Sequence, residues 1–237
     1  MKKKILTIAL VVALVAIMVT GSLAYFTAED KVDNTFTVGS VKIEIYENGE
    51  PTPDASKALG TLIPVVKENP SEDESYIDKV VKVLNTGAND AYIRTHIAIP
   101  TALTGYLYLD LDETGWARQA DTTATVEGVD YTVFTYDYTA AVAPGKETTE
   151  LLKGVYLASN VDLEEDASGN LVFILRDEKG NKIASSDFVA HTKTANGYTS
   201  TVVNVLVASQ AIQTQGFENG ATNALNSGFG ANTNPWQ

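Results

Sequence analysis

Apolar and polar residues alternate in short runs along most of this chain, and that period of two limits its fold more than any other feature. Val41, Ile43 and Ile45 alternate with Lys42 and Glu44, the pattern of a strand with one buried face. Asn48-Gly49 then supplies turn chemistry. Tyr76 to Leu84 and Ala91 to Ile99 read as two further strands flanking the cluster Asn85 to Asp90, which predicts a hairpin. In the second of these, Ile93, Ile97 and Ile99 share one face while Arg94 and His96 occupy the other. Further strands are expected over Tyr106 to Leu111, Val129 to Tyr138, Glu150 to Leu157, Leu171 to Leu175 and Tyr198 to Gln213. The last is the longest run, with Val203, Val205 and Val207 on one side. Pro51, Pro53, Pro64 and Pro70 mark residues 51–70 as an irregular connection, and Asp177 to Asn181 as a loop tip. Nine or ten short strands separated by turns predict an all-β fold, a single antiparallel β-sandwich, rather than a parallel α/β fold.

Helical signals are weak beside these. Residues 217–229 place Ala221, Leu225 and Phe229 on one side of one short helix, limited by Gly220 and Gly228. The expected organisation is a leader over 1–24, a β-sandwich domain over 25–217, and a short helix with a flexible tail over 218–237.

The leader has the three parts of a secretory signal. Lys2, Lys3 and Lys4 form a basic start, and Ile5 to Thr20 run for 16 residues without a charge. Ser22 and Ala24 then stand at the −3 and −1 positions of a cut before Tyr25, the small-x-small exit that a signal peptidase reads. The competing reading is an uncleaved anchor, for which 16 apolar residues fall short of the roughly 18–20 that span a bilayer. Export is therefore expected, with membrane contact only through the uncleaved leader.

Removing the leader takes away three of the 17 basic residues and none of the 30 acidic ones, leaving a formal charge of −16. Such a chain is repelled by nucleic acid and anionic lipid. Cysteine is absent, which excludes disulfides, thiolate catalysis and Cys-based metal sites. A domain of about 200 residues buries enough apolar surface to hold together without them.

Three stretches resemble one family. Ala24-Tyr25-Phe26-Thr27, followed by Asn34-Thr35-Phe36-Thr37-Val38-Gly39 and the strand Val41 to Ile45, is similar to the start of the camelysin/TasA-type secreted proteins of Gram-positive bacteria. Val83 to Gly87 with Asp90 to Arg94, and Ala208 to Phe217, resemble an internal turn and the closing strand of such proteins. The resemblance covers the two ends and one internal stretch, and residues between about 100 and 200 carry no family motif. It implies a specialised signal peptidase as a partner, a jelly-roll-like sandwich, and a place in an extracellular matrix or at the cell surface. In the matrix-forming members it also implies fibres built by donor-strand exchange. On that reading, cleavage frees residues 25–38 as a donor segment, with Phe26, Phe36 and Val38 as its anchors. Adding a strand to an open edge satisfies main-chain groups and buries alternate side chains, and a head-to-tail contact that does not close grows into a filament. The partners expected are then further copies of the chain, with other matrix or cell-wall components. The alternative is that this segment pairs within its own chain as an ordinary first strand, giving a monomeric adhesion or binding module.

Camelysin has been classed as a metallopeptidase, so the resemblance also implies a catalytic alternative. The chain has two histidines, His96 and His191, and no H-E-x-x-H, whereas a catalytic zinc takes three protein ligands, often two His at i and i+4. A peptidase would need both histidines and a carboxylate to converge. No G-x-S-x-G elbow is present, so no catalytic residue is assigned and no cofactor is expected. Calcium is the metal that the acidic stretch with Asp162, Glu164 and Asp166 would suit, although its spacing departs from the EF-hand pattern. Asp110, Asp112 and Glu113 form a second acidic group. Tyr131, Phe134, Tyr136 and Tyr138 are candidates for a carbohydrate-binding face, but at strand spacing they read first as core and cross-strand packing.

Overall fold

The computed structural model describes residues 27–31, 41–51, 61–217 and 219–236. The expected leader, the expected cleavage residues Ser22, Ala24 and Tyr25, and the expected anchors Phe26, Phe36 and Val38 lie outside the described residues.

Among the described residues the fold is all-β apart from one helix and two short 3-10 turns. Its first strands are β1 (Thr27–Lys31), β2 (Ile43–Glu47), β3 (Glu50–Pro51), β4 (Ile77–Asn85) and β5 (Ala91–Pro100). Next come β6 (Leu107–Leu111), β7 (Trp116–Arg118), β8 (Thr122–Val126), β9 (Val129–Tyr138) and β10 (Leu152–Leu157). The last are β11 (Val161–Glu165), β12 (Leu171–Arg176), β13 (Lys182–Thr194), β14 (Gly197–Ser200) and β15 (Leu206–Gln213), followed by the helix α1 (Ala221–Phe229). Among the described residues no helix is long and apolar enough to cross a membrane.

These strands form three antiparallel sheets. One has six strands, in the order β1-β15-β5-β9, with β7 and β8 both paired to the far side of β9. The second has five, β3-β2-β4-β10-β6, and the third four, β11-β12-β13-β14. Ile45, Val81, Leu152 and Leu157 of the five-stranded sheet share one apolar cluster with Ile97, Ile99, Tyr136 and Val207 of the six-stranded sheet. Phe173 and Ala190 join the four-stranded sheet to the same cluster. The alternation read from sequence is what supplies these inward faces, since successive strand side chains point to opposite sides.

The expected hairpin between Tyr76 to Leu84 and Ala91 to Ile99 does not form. β4 pairs with β2 and β10, whereas β5 pairs with β15 and β9. Val81 and Ile97 therefore meet across the core rather than along one sheet. The turn cluster acts as an arch between sheets because Asn85 is buried and bonded inward. Its Nδ2 donates to the carbonyls of Asn89 and Val142, and its Oδ1 accepts the Gly87 N–H. The expected long strand over Tyr198 to Gln213 is likewise two strands, β14 and β15, in different sheets.

The outer side of β5 is covered as well as the inner one. Ala221, Ala224 and Leu225 of α1 bury against Ile212 of β15, with Tyr92, Phe217 and Phe229 packed around them. The helix ends at Gly230, whose φ of 89° suits glycine. Trp236 then lies with Leu206 against Ala98, Ala124, Tyr131 and Val133, so residues 221–236 close the outer face of the six-stranded sheet.

Candidate functional site

Among the described residues, β1 is the first strand in the chain and lies at the edge of the six-stranded sheet. β1 pairs antiparallel with β15 over five residues, from Thr27 opposite Ile212 to Lys31 opposite Ala208. Every residue from Val207 to Gln213 is buried, which is unusual for a strand one place from a sheet edge. The inward side of β15 carries Val207 and Ala211 into the core, and its outward side carries Ile212 to the helix. β1 is thus the strand that completes an already buried neighbour.

A buried polar seam runs beneath the C-terminal segment. Arg94 in β5 and Asp137 in β9 are register partners joined by two hydrogen bonds, Nε to Oδ1 at 2.6 Å and Nη2 to Oδ2 at 3.0 Å. The same guanidinium donates to Asn226 Oδ1 at 2.7 Å and to the Gly230 carbonyl at 2.9 Å, tying the helix to the sheet. His96 is fully buried beside it. Its Nδ1 lies 2.9 Å from Thr135 Oγ1, its Nε2 3.1 Å from Gln210 Oε1, and the Trp236 ring meets it edge-on at 6.3 Å. Burial pushes His96 down to about 4, with Arg94 adding to the effect, while the Gln210 bond and Asp137 oppose it. A neutral imidazole with both nitrogens engaged is a packed structural group here.

The structure keeps the sequence-proposed metal and catalytic residues apart. His191 lies in β13 of the four-stranded sheet, bonded through Nδ1 to Ser200, whereas His96 is in the six-stranded sheet. Among the described residues no three His, Asp or Glu side chains form a group able to hold a metal. The acidic stretch proves to be strand as well as loop. Asp162 and Glu164 sit on β11, paired with Arg176 at 2.8 Å and Lys182 at 2.6 Å. Asp166 instead closes the tight turn to Asn170, accepting the Asn170 and Ser168 N–H groups, which hold its carboxyl below the usual carboxylate range. In the second acidic group Asp112 pairs with Lys153 at 3.0 Å, and Glu113 accepts the Tyr136 hydroxyl. The arrangement favours structural pairing of these carboxylates over a shared cation.

The aromatic residues divide between the inside and the outside. Tyr131 and Tyr136 are buried, and Phe134 and Tyr138 pack against the core, so that set is core as its spacing implied. Tyr76, Tyr108 and Tyr156 instead gather on the five-stranded sheet. Sequence reasoning passed over them because they are far apart in the chain. A shallow pocket of about 400 Å³ lies beside Trp236, lined by Thr101, Thr123, Thr125 and Asp130. Asp130 there accepts the Thr125 hydroxyl.

No family model, curated protein or solved structure matches this chain.

Proposed function

We propose that this protein is an exported structural subunit that assembles outside the cell by donor-strand exchange, as the resemblance to the camelysin/TasA-type proteins implies. On this reading the five- and six-stranded sheets are the two layers of a jelly-roll-like sandwich, with the four-stranded sheet as an appendage. The carrying observation is the place of β1. Among the described residues, the strand nearest the expected leader is also the terminal strand of the six-stranded sheet, paired there with β15 alone.

An identical strand from a second copy would make the same antiparallel bonds to β15. Exchange therefore needs no new contact, only release of the segment, and that is the usual route by which a terminal element is swapped between copies. With β1 displaced, β15 presents a row of unpaired main-chain groups, an open edge that recruits a strand. The leader, while attached, would keep the segment at the membrane and hold assembly back. Further copies of the chain and a specialised signal peptidase are the proposed partners, with an extracellular matrix or the cell surface as the location. The peptidase alternative has less support, since His96 and His191 lie in different sheets with hydrogen-bonded rings.

Protein starting at Tyr25 is expected to form filaments in a concentration-dependent way under electron microscopy and light scattering. Protein starting at Ser40, without β1, is expected to stay unpolymerised. Monomers from both, at high concentration and with calcium present, would remove self-assembly and leave an adhesion module.

A further inference from the structure

Tyr108 in β6 and Tyr156 in β10 are cross-strand partners. Their neighbours Leu107, Val155 and Leu157 turn into the core, so alternation sets both tyrosines on the opposite, outward face. Their rings lie 5.7 Å apart and 16° from parallel. Tyr76, just before β4, adds a third ring 6.3 Å from Tyr156 at 26°. Both pairs are stacked near-parallel at separations beyond direct face-to-face contact of about 3.5–4 Å, so the three rings follow one another in a loose row.

The row is held in place before any ligand arrives. A Cβ at residue 154 would collide with the Tyr76 ring, so Gly154 is what lets that ring lie against the β10 backbone. The Tyr76 hydroxyl donates to Asp110 Oδ2 at 2.7 Å, which fixes its direction. Asp110 is the cross-strand partner of Gly154, so Tyr76, Tyr156, Tyr108 and Asp110 make one compact patch. Among the described residues β6 is the last strand of its sheet, and Tyr108 is 43% exposed.

We propose that this patch binds an uncharged, extended polysaccharide, an activity separate from strand exchange. Tyrosine offers a flat apolar body with a polar tip, which matches the apolar C–H face and polar rim of a pyranose ring. A carboxylate has about four acceptor positions and the Tyr76 bond uses one, leaving Asp110 able to accept from sugar hydroxyls. Asp78 and Asp110 both place negative charge near Tyr76, and the chain carries −13 overall, which disfavours anionic polymers. A quaternary ammonium would instead want rings set around it as a cage, whereas these rings are near-parallel.

The test titrates cellohexaose, chitohexaose and xylohexaose into protein starting at Tyr25, kept dilute enough to remain monomeric, and follows tyrosine fluorescence and calorimetry. Saturable binding of at least one is expected. Tyr108→Ala and Tyr156→Ala should each weaken it at least ~10-fold, while Tyr198→Ala, which changes an equally exposed tyrosine on β14, should leave it unchanged. Melting temperature and far-UV circular dichroism check folding, and Tyr76→Phe, which keeps the ring and frees Asp110, gives a variant with the stack intact and the affinity altered. No saturation by any of the three sugars would overturn the proposal. So would binding that survives Tyr108→Ala and Tyr156→Ala, or saturation by tetramethylammonium in place of the sugars.

Discussion

His96 lies between Thr135, Gln210 and Trp236 with no exposed surface, and its protonation is therefore coupled to folding. Its ordinary value of 6.5 falls to about 4 in the fold, chiefly through burial. Between those two values the unfolded chain takes up a proton that the folded chain does not, so stability falls as pH drops from 6.5 towards 4. The full loss from this residue is about 3 kcal/mol at 1.36 kcal/mol per unit, most of it present by pH 4.5. Urea unfolding at pH 7 and pH 4.5 should show the loss, and His96→Gln should flatten that part of the profile. An equal slope in the variant would place the effect elsewhere. At this scale the sequence was half legible. Arg94 and His96 were readable as lying opposite Ile93, Ile97 and Ile99, on the more polar face of the strand, but not as buried. Their cover comes from Asn226, Gly230 and Trp236, more than 130 residues further along the chain. Strand periodicity reports two faces and does not say what lies on either.

The helix α1 was legible as an element, since Ala221, Leu225 and Phe229 share a side and the structure packs that side on Ile212. Its attachment is testable through Leu225, which is fully buried. Leu225→Ala should cost about 2–5 kcal/mol, the range for a buried leucine, measured as a shift in the urea midpoint at unchanged slope. A cost under about 1 kcal/mol would mean that the helix is not packed on the sheet as described. Most strands were legible for the same reason as the helix, with β9 found at both of its ends. β7, β8, β11 and β13 were not. β8 reads Thr-Thr-Ala-Thr-Val and β13 begins Lys-Ile-Ala-Ser-Ser-Asp, too polar to show an apolar face, and both are held by their pairing, β8 to β9 and β13 to β12 and β14. The arch at Asn85 was misread for a different reason. Turn chemistry fixes that the chain reverses, and only the packing of Val81 against Ile97 across the core decides that it reverses into another sheet.

At the scale of the whole molecule, the proposed assembly turns on whether β15 is completed by its own β1 or by that of a neighbour. The two states differ in connectivity and share the same bonds, so a covalent lock separates them where a contact mutation does not. Ala28 and Ala211 are Cα partners in the β1–β15 register, a spacing of roughly 4.5–5.5 Å in antiparallel pairs that a disulfide can bridge. The chain has no cysteine of its own, so Ala28→Cys with Ala211→Cys introduces the only thiols. Oxidised while monomeric, this variant should stay monomeric in light scattering, and reduction should restore filament growth. Oxidised after assembly, it should instead run as a ladder of covalent multimers on a non-reducing gel. Filaments growing from the oxidised monomer at the rate of the reduced one would show that β1 never leaves its own β15, and exchange of this strand would have to be given up even if the protein polymerises. The polysaccharide patch lies on the other sheet, at β6 and β10, so the locked monomer should still bind sugar, and growth and adhesion can be read independently in a single protein.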